Sequence, residues 1–337
     1  MSEPLAVKYR PRTFDDVVQQ GATKIILQQQ LDSGDIKNAY LFCGGAGTGK
    51  TTCARIFANE INKHIGTPIE LDAASNNSVD NVREIISQAK TASIDSKYKV
   101  FIMDEVHALS NNAWQAMLKL LEEPPMRTVF IMCTTDPQKI PKTILSRVQR
   151  FDFQRISQNK IVDRLEWIYK EESCQAVIDE NKEAIEYIAK IAQGGMRDAI
   201  TMLDKCLAYS IELTLYNVLN ALGIADYDLI TQFVNSYCES DYVSGIDIIN
   251  KVYMQGMDLK QFMKSVTDFV LEIYKYNLNV DFNKLNLPDT KEIREFLDCV
   301  ELDIDDTLLK SLIKLNQEIK WDTNPKARIE AWIIAGE

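Results

Sequence analysis

Histidine is nearly absent: 337 residues hold two, His64 and His107, far apart. The seven cysteines, Cys43, Cys53, Cys133, Cys174, Cys206, Cys238 and Cys299, include no Cys-x-x-Cys pair. Zinc sites need clustered Cys and His at short spacings, so no zinc is expected. Most of these cysteines sit in apolar patterns and read as small buried hydrophobes in a reducing cytoplasm. No apolar run approaches the roughly 20 residues of a membrane-spanning helix, so no membrane partner is expected. The start, Met1-Ser-Glu-Pro4, lacks the basic and apolar regions of a secretory leader.

Positive charge is also in deficit. The net charge of −11 argues against non-specific coating of nucleic acid. The imbalance is uneven. Through Arg155, 19 Lys and Arg face 17 Asp and Glu, whereas the remainder has 19 against 32. Contact with a phosphate backbone is therefore expected from the first half. Protein contacts suit the acidic second half.

What the chain does have is one stretch around which the rest is organised. The apolar run Tyr40–Cys43 ends in Gly44-Gly-Ala-Gly-Thr-Gly-Lys-Thr-Thr52, and a helical pattern follows from Cys53 to Ile61. Gly44-x-x-x-x-Gly49-Lys50-Thr51 is the spacing of a phosphate-binding loop. Glycines let successive backbone N–H groups turn inward around a polyphosphate. The following helix aims its positive end at the same oxygens. Lys50 supplies a point charge for the β- and γ-phosphates, and the Thr51 hydroxyl can reach Mg²⁺.

A chain of this length suggests two or three domains. Short strands are expected at Tyr40–Cys43, 68–72, 98–104, Thr128–Thr134 and 150–153, with helices at 23–31, Val79–Ala89 and Asn111–Glu122. Thr23 and Ser110 read as helix caps. Pro11 keeps Arg10 extended. This alternation indicates an α/β domain with a mostly parallel sheet. Ligands in such sheets bind at the carboxyl ends of strands, which puts the loop, Asp104-Glu105 and Thr134-Thr135 on one rim. After Ser157 only helical patterns appear: 161–169, 182–192, 196–208 and 215–222, then 226–239, 242–255, 258–277, 290–301, 305–320 and 325–335. Gly194-Gly195 marks a sharp turn, and 277–288 a loop.

Asp104 and Glu105 follow a buried strand downstream of a phosphate loop. Asp104 is placed as the magnesium-side acid, and Glu105 to orient or deprotonate an attacking water. Two acids at a strand end alone would read as solvated, but the loop raises them above that. Thr134 and Thr135 offer a hydroxyl between phosphate and water, or serve only as turn residues before Asp136-Pro137. On pattern alone, Arg147 and Arg197 are surface cations.

The chain resembles the gamma/tau type of bacterial DNA polymerase clamp-loader motor subunits, within the AAA+ ATPases. The stretches that carry the likeness are Lys8-Tyr-Arg-Pro-Arg-Thr-Phe-Asp-Asp-Val-Val18, Gly44–Thr52, Leu71-Asp-Ala-Ala-Ser-Asn-Asn77, Asp104-Glu-Val-His-Ala-Leu-Ser110, Met117-Leu-Lys-Leu-Leu-Glu-Glu-Pro-Pro125, Thr134-Thr-Asp-Pro-Gln-Lys139, Ile144-Leu-Ser-Arg147 and Gly194-Gly-Met-Arg-Asp-Ala199. They cover residues 8 to about 200.

The resemblance implies an AAA+ P-loop domain over 1–155, a small helical lid over 156–222 and an all-α collar over 223–337. It implies that Tyr9, Arg10, Val17 and Val18 pack near adenine, with Gly44, Gly45, Ala46, Gly47, Thr48, Gly49, Lys50, Thr51 and Thr52 around the phosphates. Thr134-Thr135 match the sensor-1 position and Arg197 the sensor-2 arginine. Arg147 matches an arginine finger that reaches a neighbour's site, so the catalytic set is Lys50, Glu105 and Arg147. ATP and Mg²⁺ (on Thr51 and Asp104) are the implied ligands. The implied partners are other loader subunits in an arc, pentameric in form and with more than one copy of this chain, a sliding clamp and primer–template DNA. DNA would be held through its backbone, with Arg83, Lys90 and Lys119 as candidates.

Two departures stand out. Bacterial relatives usually carry a cysteine-rich zinc module after the phosphate-loop helix, but here Asn62–Thr67 joins directly to the next strand. This suggests a divergent or phage-borne copy, acting in the bacterial cytoplasm. The family's usual Ser-Arg-Cys is Ser146-Arg147-Val148, which keeps the arginine. The rival expectations are a AAA+ branch-migration helicase motor and a non-hydrolysing loader subunit of delta-prime type.

Overall fold

The apolar runs of the first half become five strands: β1 (Ala39–Gly44), β2 (Ile69–Asp72), β3 (Lys99–Asp104), β4 (Thr128–Thr134) and β5 (Gln149–Phe153). The structure is a computed structural model that describes residues 3–91, 96–174, 177–223, 227–288, 290–300 and 307–335. All five strands pair in parallel, in the order β2-β3-β4-β1-β5. β1, β3 and β4 are buried along nearly their whole length, which explains their continuous rather than alternating apolar pattern.

Helices α1 (Leu5–Lys8), α2 (Gly21–Ser33), α3 (Lys50–Ile61), α4 (Val79–Ala89), α5 (Asn111–Glu122) and α6 (Lys142–Leu145) accompany the sheet. Alternate strand residues feed two cores. Leu41, Phe101, Met103 and Phe130 pack with Val82 and Ile85 of α4 and Trp114 and Met117 of α5. Tyr40, Phe42, Ile102 and Ile131 pack with Leu27 of α2 and Cys53, Ile56 and Phe57 of α3. The register pairs Cys43 with Thr134 and Met103 with Met132, so the carboxyl ends of β1, β3 and β4 share one rim.

Ser110 caps α5 as expected, accepting the Ala113 N–H. Thr23 does not cap α2. That helix starts at Gly21, after Gln20 in a left-handed conformation (φ 57), and Thr23 is buried within it. The Gln20 side chain explains the earlier start: it exchanges hydrogen bonds with the Gln154 backbone at 2.7 and 3.1 Å, fixing where the chain enters. Of the consecutive apolar residues Ile25, Ile26 and Leu27 in this helix, only Leu27 is buried; Ile25 and Ile26 are exposed.

After β5 the described residues hold no strand. The helices are α7 (Gln158–Ser173), α8 (Asp179–Ile191), α9 (Met196–Tyr209), α10 (Leu215–Leu222), α11 (Tyr227–Cys238), α12 (Tyr242–Met254), α13 (Leu259–Asn277), α14 (Lys291–Cys299), α15 (Thr307–Ile319) and α16 (Pro325–Ala335). The expected helix residues 226, 301, 305 and 306 lie outside the described residues. The expected loop after Asn277 contains a 3-10 turn at Phe282–Lys284, and Phe282, Leu285 and Leu287 are buried in the helical core.

The chain divides into two compact units. One is Met1–Gln175 with Ala192–Asp204; the other is Ala176–Ile191 with Lys205–Glu337. The core of the second is built from α11 to α16, around Phe233, Phe262, Phe269 and Leu312. Among the cysteines, Cys43, Cys53, Cys133 and Cys206 are buried as read, whereas Cys174, Cys238 and Cys299 are exposed. The exposed three sit at helix ends, where the apolar pattern of each helix runs out. No helix among the described residues is long and apolar enough to cross a membrane.

Candidate functional site

Glycine freedom shapes the loop after β1. Gly47 (φ 68) and Gly49 (φ 97) hold left-handed angles that side chains disfavour. A Cβ on Gly47 would stand 3.0 Å from Gly195 Cα, and one on Gly44 would strike the Phe153 carbonyl. The Gly47 carbonyl accepts the Met196 N–H at 3.0 Å, which sets the first turn of α9 against the loop. Inside it, the buried Lys50 amine donates to the carbonyls of Gly44 (2.9 Å) and Gly45 (2.8 Å). Burial pulls the Lys50 pKa down, and nearby Glu105 and Asp104 oppose that pull. An anion in the loop would satisfy the same charge.

The next residue meets the rim of the sheet. Thr51 Oγ1 donates to Asp104 Oδ2 at 2.7 Å. Asp104 Oδ1 accepts the Glu105 N–H at 3.0 Å. Glu105 takes a left-handed conformation (φ 48) and opens a 3-10 turn at Val106–Ala108. That turn brings His107 back: its Nδ1 lies 3.1 Å from Glu105 Oε2 and 3.3 Å from Thr134 Oγ1. Glu105 Oε2 also accepts the Thr135 N–H (3.3 Å) and hydroxyl (2.8 Å). Thr134 is fully buried, and its Oγ1 accepts the Asp136 N–H at 3.0 Å.

Beside the loop opens a cleft of about 290 Å³. Its lining carries Arg10, Lys50, Arg55, Arg164 and Arg197 against the single carboxylate Asp104, so it favours an anion. Arg55 is already engaged by Glu70 at 2.6 Å. Arg164, on α7, donates to the Tyr9 carbonyl at 3.1 Å and lies 4.4 Å over the Trp167 ring; burial pulls its pKa down. The segment that forms the other wall is clasped in place. Lys8 Nζ and Tyr9 OH converge on Glu172 Oε1 at 2.7 and 2.6 Å, and the Leu5 N–H donates to Asp204 at 3.0 Å.

The donor set fits a magnesium nucleotide. A hydroxyl and a carboxylate, both hard oxygens, adjoin at the cleft floor. A lysine and the open amides of a helix start stand beside them. The glycine loop is a cradle that side chains would fill.

Comparisons with known proteins point the same way. A family model described as DNA polymerase III, delta subunit matches residues 63–157, and one described as DNA polymerase III clamp loader subunit, ATPase lid domain matches 160–212. The chain is 35% identical to the DNA polymerase III subunit tau of Bacillus subtilis over 97% of its own length and 62% of that protein. It is 32% identical to the DNA polymerase III subunit gamma of Buchnera aphidicola subsp. Schizaphis graminum, over 98% of this chain and 96% of that one. The chain belongs to the DNA polymerase III gamma/tau subunit family. It thus spans nearly all of a gamma relative but less than two thirds of the Bacillus tau protein. The RuvB branch migration motor of Thermotoga maritima matches with a TM-score of 0.55 at 16% identity, over 88% of this chain and 99% of that one. At that identity the likeness speaks for a shared AAA+ fold alone.

In this gamma/tau chain the residues selected from sequence fall into five places. Tyr9, Arg10, Val17, Val18, Gly47 to Thr52, Asp104 and Arg197 line the cleft. Gly44 and Gly45 hold the Lys50 amine, with Ala46 next in the loop, while Glu105 and Thr134 contact His107 and Thr135 donates to Glu105. Arg147 stands apart, just after α6, and is not among the cleft-lining residues. It donates to Thr143 O (2.7 Å), Ser146 Oγ (3.1 Å) and Glu122 Oε1 (2.8 Å), with its side chain 35% exposed. Arg83, Lys90 and Lys119 share a separate groove between α4 and α5. Sequence reading missed the contributions of His107, Arg55, Arg164 and Met196. Only His107 had a local signal, lying two residues beyond Glu105.

Proposed function

We propose that this chain is the ATP-hydrolysing motor subunit of a DNA sliding-clamp loader. The observation that carries the reading is the Thr51–Asp104 contact at the floor of a cationic cleft. In this reading the loop amides, Lys50 and Arg197 take the phosphates, and Tyr9, Arg10, Val17 and Val18 pack around adenine. Thr51 and Asp104 would hold magnesium, which would supply positive charge beside the phosphates. Glu105 accepts the proton of the attacking water, and Thr134 and Thr135 orient the groups between water and phosphate. Zinc has no part, because 62–67 links α3 to β2 without a cysteine.

One chain leaves the cage incomplete. Arg147 does not line its own cleft, and its partial exposure suits contact with a neighbour. A trans arginine is worth about 10³–10⁵ in rate in comparable enzymes. Assembly would therefore gate turnover. The partners in this reading are other loader subunits in a pentameric arc, a sliding clamp and primer–template DNA in the cytoplasm. The division into 1–155, a lid at 156–222 and a collar at 223–337 belongs to the same proposal.

The test is ATP turnover of the chain assembled with its loader partners, with and without clamp and primed DNA. Stimulation by clamp and DNA together is expected. Nucleotide binding without turnover would instead favour a structural loader subunit, and ATP-driven translocation along duplex would favour a branch-migration motor.

A further inference from the structure

We propose that Arg164 is a positioning residue for the nucleoside: it pins the backbone of the wall at Tyr9 and so sets affinity for the nucleoside part of the ligand, not for its phosphates. The inference rests on the reading of Tyr9, Arg10, Val17 and Val18 as the wall that receives the base. Arg164 lines the cleft together with all four. Its Nη2 donates to the Tyr9 carbonyl at 3.1 Å. Asp16, the neighbour of Val17, attracts the same guanidinium and opposes the downward pull of burial on its pKa. Asp16 Oδ2 is itself anchored, accepting the Thr13 hydroxyl (2.8 Å) and N–H (3.1 Å). One cation thus acts on both stretches that carry the wall.

Three residues on one side of α7 grip Tyr9. Glu172 accepts its hydroxyl at 2.6 Å. The Trp167 ring meets the Tyr9 ring edge-on, with centroids 5.3 Å apart. These two hold the side chain, whereas Arg164 holds the main chain. The guanidinium lies 4.4 Å over the Trp167 ring, a cation–π contact that fixes the donor in turn. The Tyr9 and Arg10 N–H groups are already spent on Leu5 O (2.9 Å) and Val7 O (3.2 Å). The Tyr9 carbonyl is therefore the handle by which α7 sets the course of this wall. A hydrogen bond from a charged donor is strong enough that losing it lowers affinity by about tenfold. The phosphate end is supplied separately, by Lys50 and by Arg197 on α9, whose first turn packs on Gly47.

Two measurements on the full chain test the assignment. The first is calorimetric titration with ATP and with inorganic tripolyphosphate, which has the phosphates and lacks the nucleoside. Arg164→Met keeps a long stem and removes the donors. It is expected to weaken ATP binding about tenfold and to leave tripolyphosphate binding unchanged. Arg164→Lys retains a charged donor and is expected to recover most of the ATP affinity. Equal losses for the two ligands would make Arg164 a phosphate ligand and overturn the proposal. A folded Arg164→Met chain with wild-type ATP affinity would overturn it as well.

The second measurement leaves Arg164 in place. The chain has four tryptophans, and subtracting the emission of a Trp167→Phe chain isolates Trp167. ATP is expected to shift that emission, because the base seats against the wall that Trp167 and Arg164 hold. Tripolyphosphate is expected to leave it unmoved. Emission indifferent to ATP, or moved equally by both ligands, contradicts the proposal, and this decides even if Arg164→Met fails to fold. Wild-type chain that binds tripolyphosphate as tightly as ATP would instead defeat the reading of the base wall itself. Wild-type preference for ATP with both Arg164 results adverse would defeat only the role of Arg164.

Discussion

Thr51 on α3 and Asp104 at the end of β3 are joined by a 2.7 Å hydrogen bond between Oγ1 and Oδ2. β3 lies two places from β1 in the sheet, with β4 between them. The bond therefore ties the phosphate-loop helix to a distant strand and sets two oxygens side by side. Thr51→Val keeps the shape and removes the hydroxyl. It is expected to weaken ATP binding in Mg²⁺ by at least about tenfold, roughly 1.4 kcal/mol. The gain in affinity that Mg²⁺ gives over EDTA should largely vanish. Calorimetric titration with and without the metal checks both.

The clasp around Glu172 makes stability depend on pH. Hydrogen bonds from Lys8 and then Tyr9 hold the Glu172 carboxyl below its ordinary value of 4.5. A folded value below the unfolded one gives stability that is full above the unfolded pKa and is lost as pH falls through the folded value. At the alkaline end the sign reverses. The Glu172 hydrogen bond raises Lys8, and burial raises Tyr9. Their contribution is full below the unfolded values and fades as pH climbs through the raised ones. Glu172→Gln is expected to cost under about 1 kcal/mol at neutral pH, because the clasp is solvent-screened. That cost should shrink near about pH 3. Urea midpoints at the two pH values measure it; an equal loss at both would exclude the linkage.

The groove shared by Arg83, Lys90 and Lys119 carries a prediction about DNA. Arg83 is tethered to Asp80 at 3.0 Å, and both side chains are well exposed, so the tether is weak. If the three cations meet phosphates, the log–log salt slope of DNA binding by the assembled loader should fall by about one for each residue changed to alanine. The loss should not depend on sequence. Fluorescence anisotropy across a salt series reads the slope, and an unchanged slope in the triple variant would remove this groove from the DNA path.

Much of this architecture could be read from the residues. β1, β3 and β4 announce themselves because burial on both faces forces unbroken apolar runs, and α5 because Ser110 caps its start. The cleft was legible where chemistry is local, from Gly44 through Thr51 and at Asp104. It was not legible where the contact depends on packing. Arg164 is one cation on an ordinary amphipathic helix, and only the seating of α7 brings it to the Tyr9 carbonyl. His107 reaches Thr134, 27 residues further along the chain, because a left-handed Glu105 folds the backbone onto itself. Thr23 had the right residue type for a cap, but Gln20 had already been fixed by Gln154 and started the helix first.

Arg147 offers the most direct test of the central claim, that one chain builds an incomplete phosphate cage which a neighbour completes. It lies outside its own cleft, bonded to Glu122, so its removal should leave that cleft intact. The measurement is ATP affinity and turnover of the Arg147→Ala chain, assembled with its loader partners, clamp and primed DNA. Unchanged affinity with stimulated turnover reduced by about 10³-fold or more is the predicted result. Stimulated turnover at the wild-type rate would contradict it.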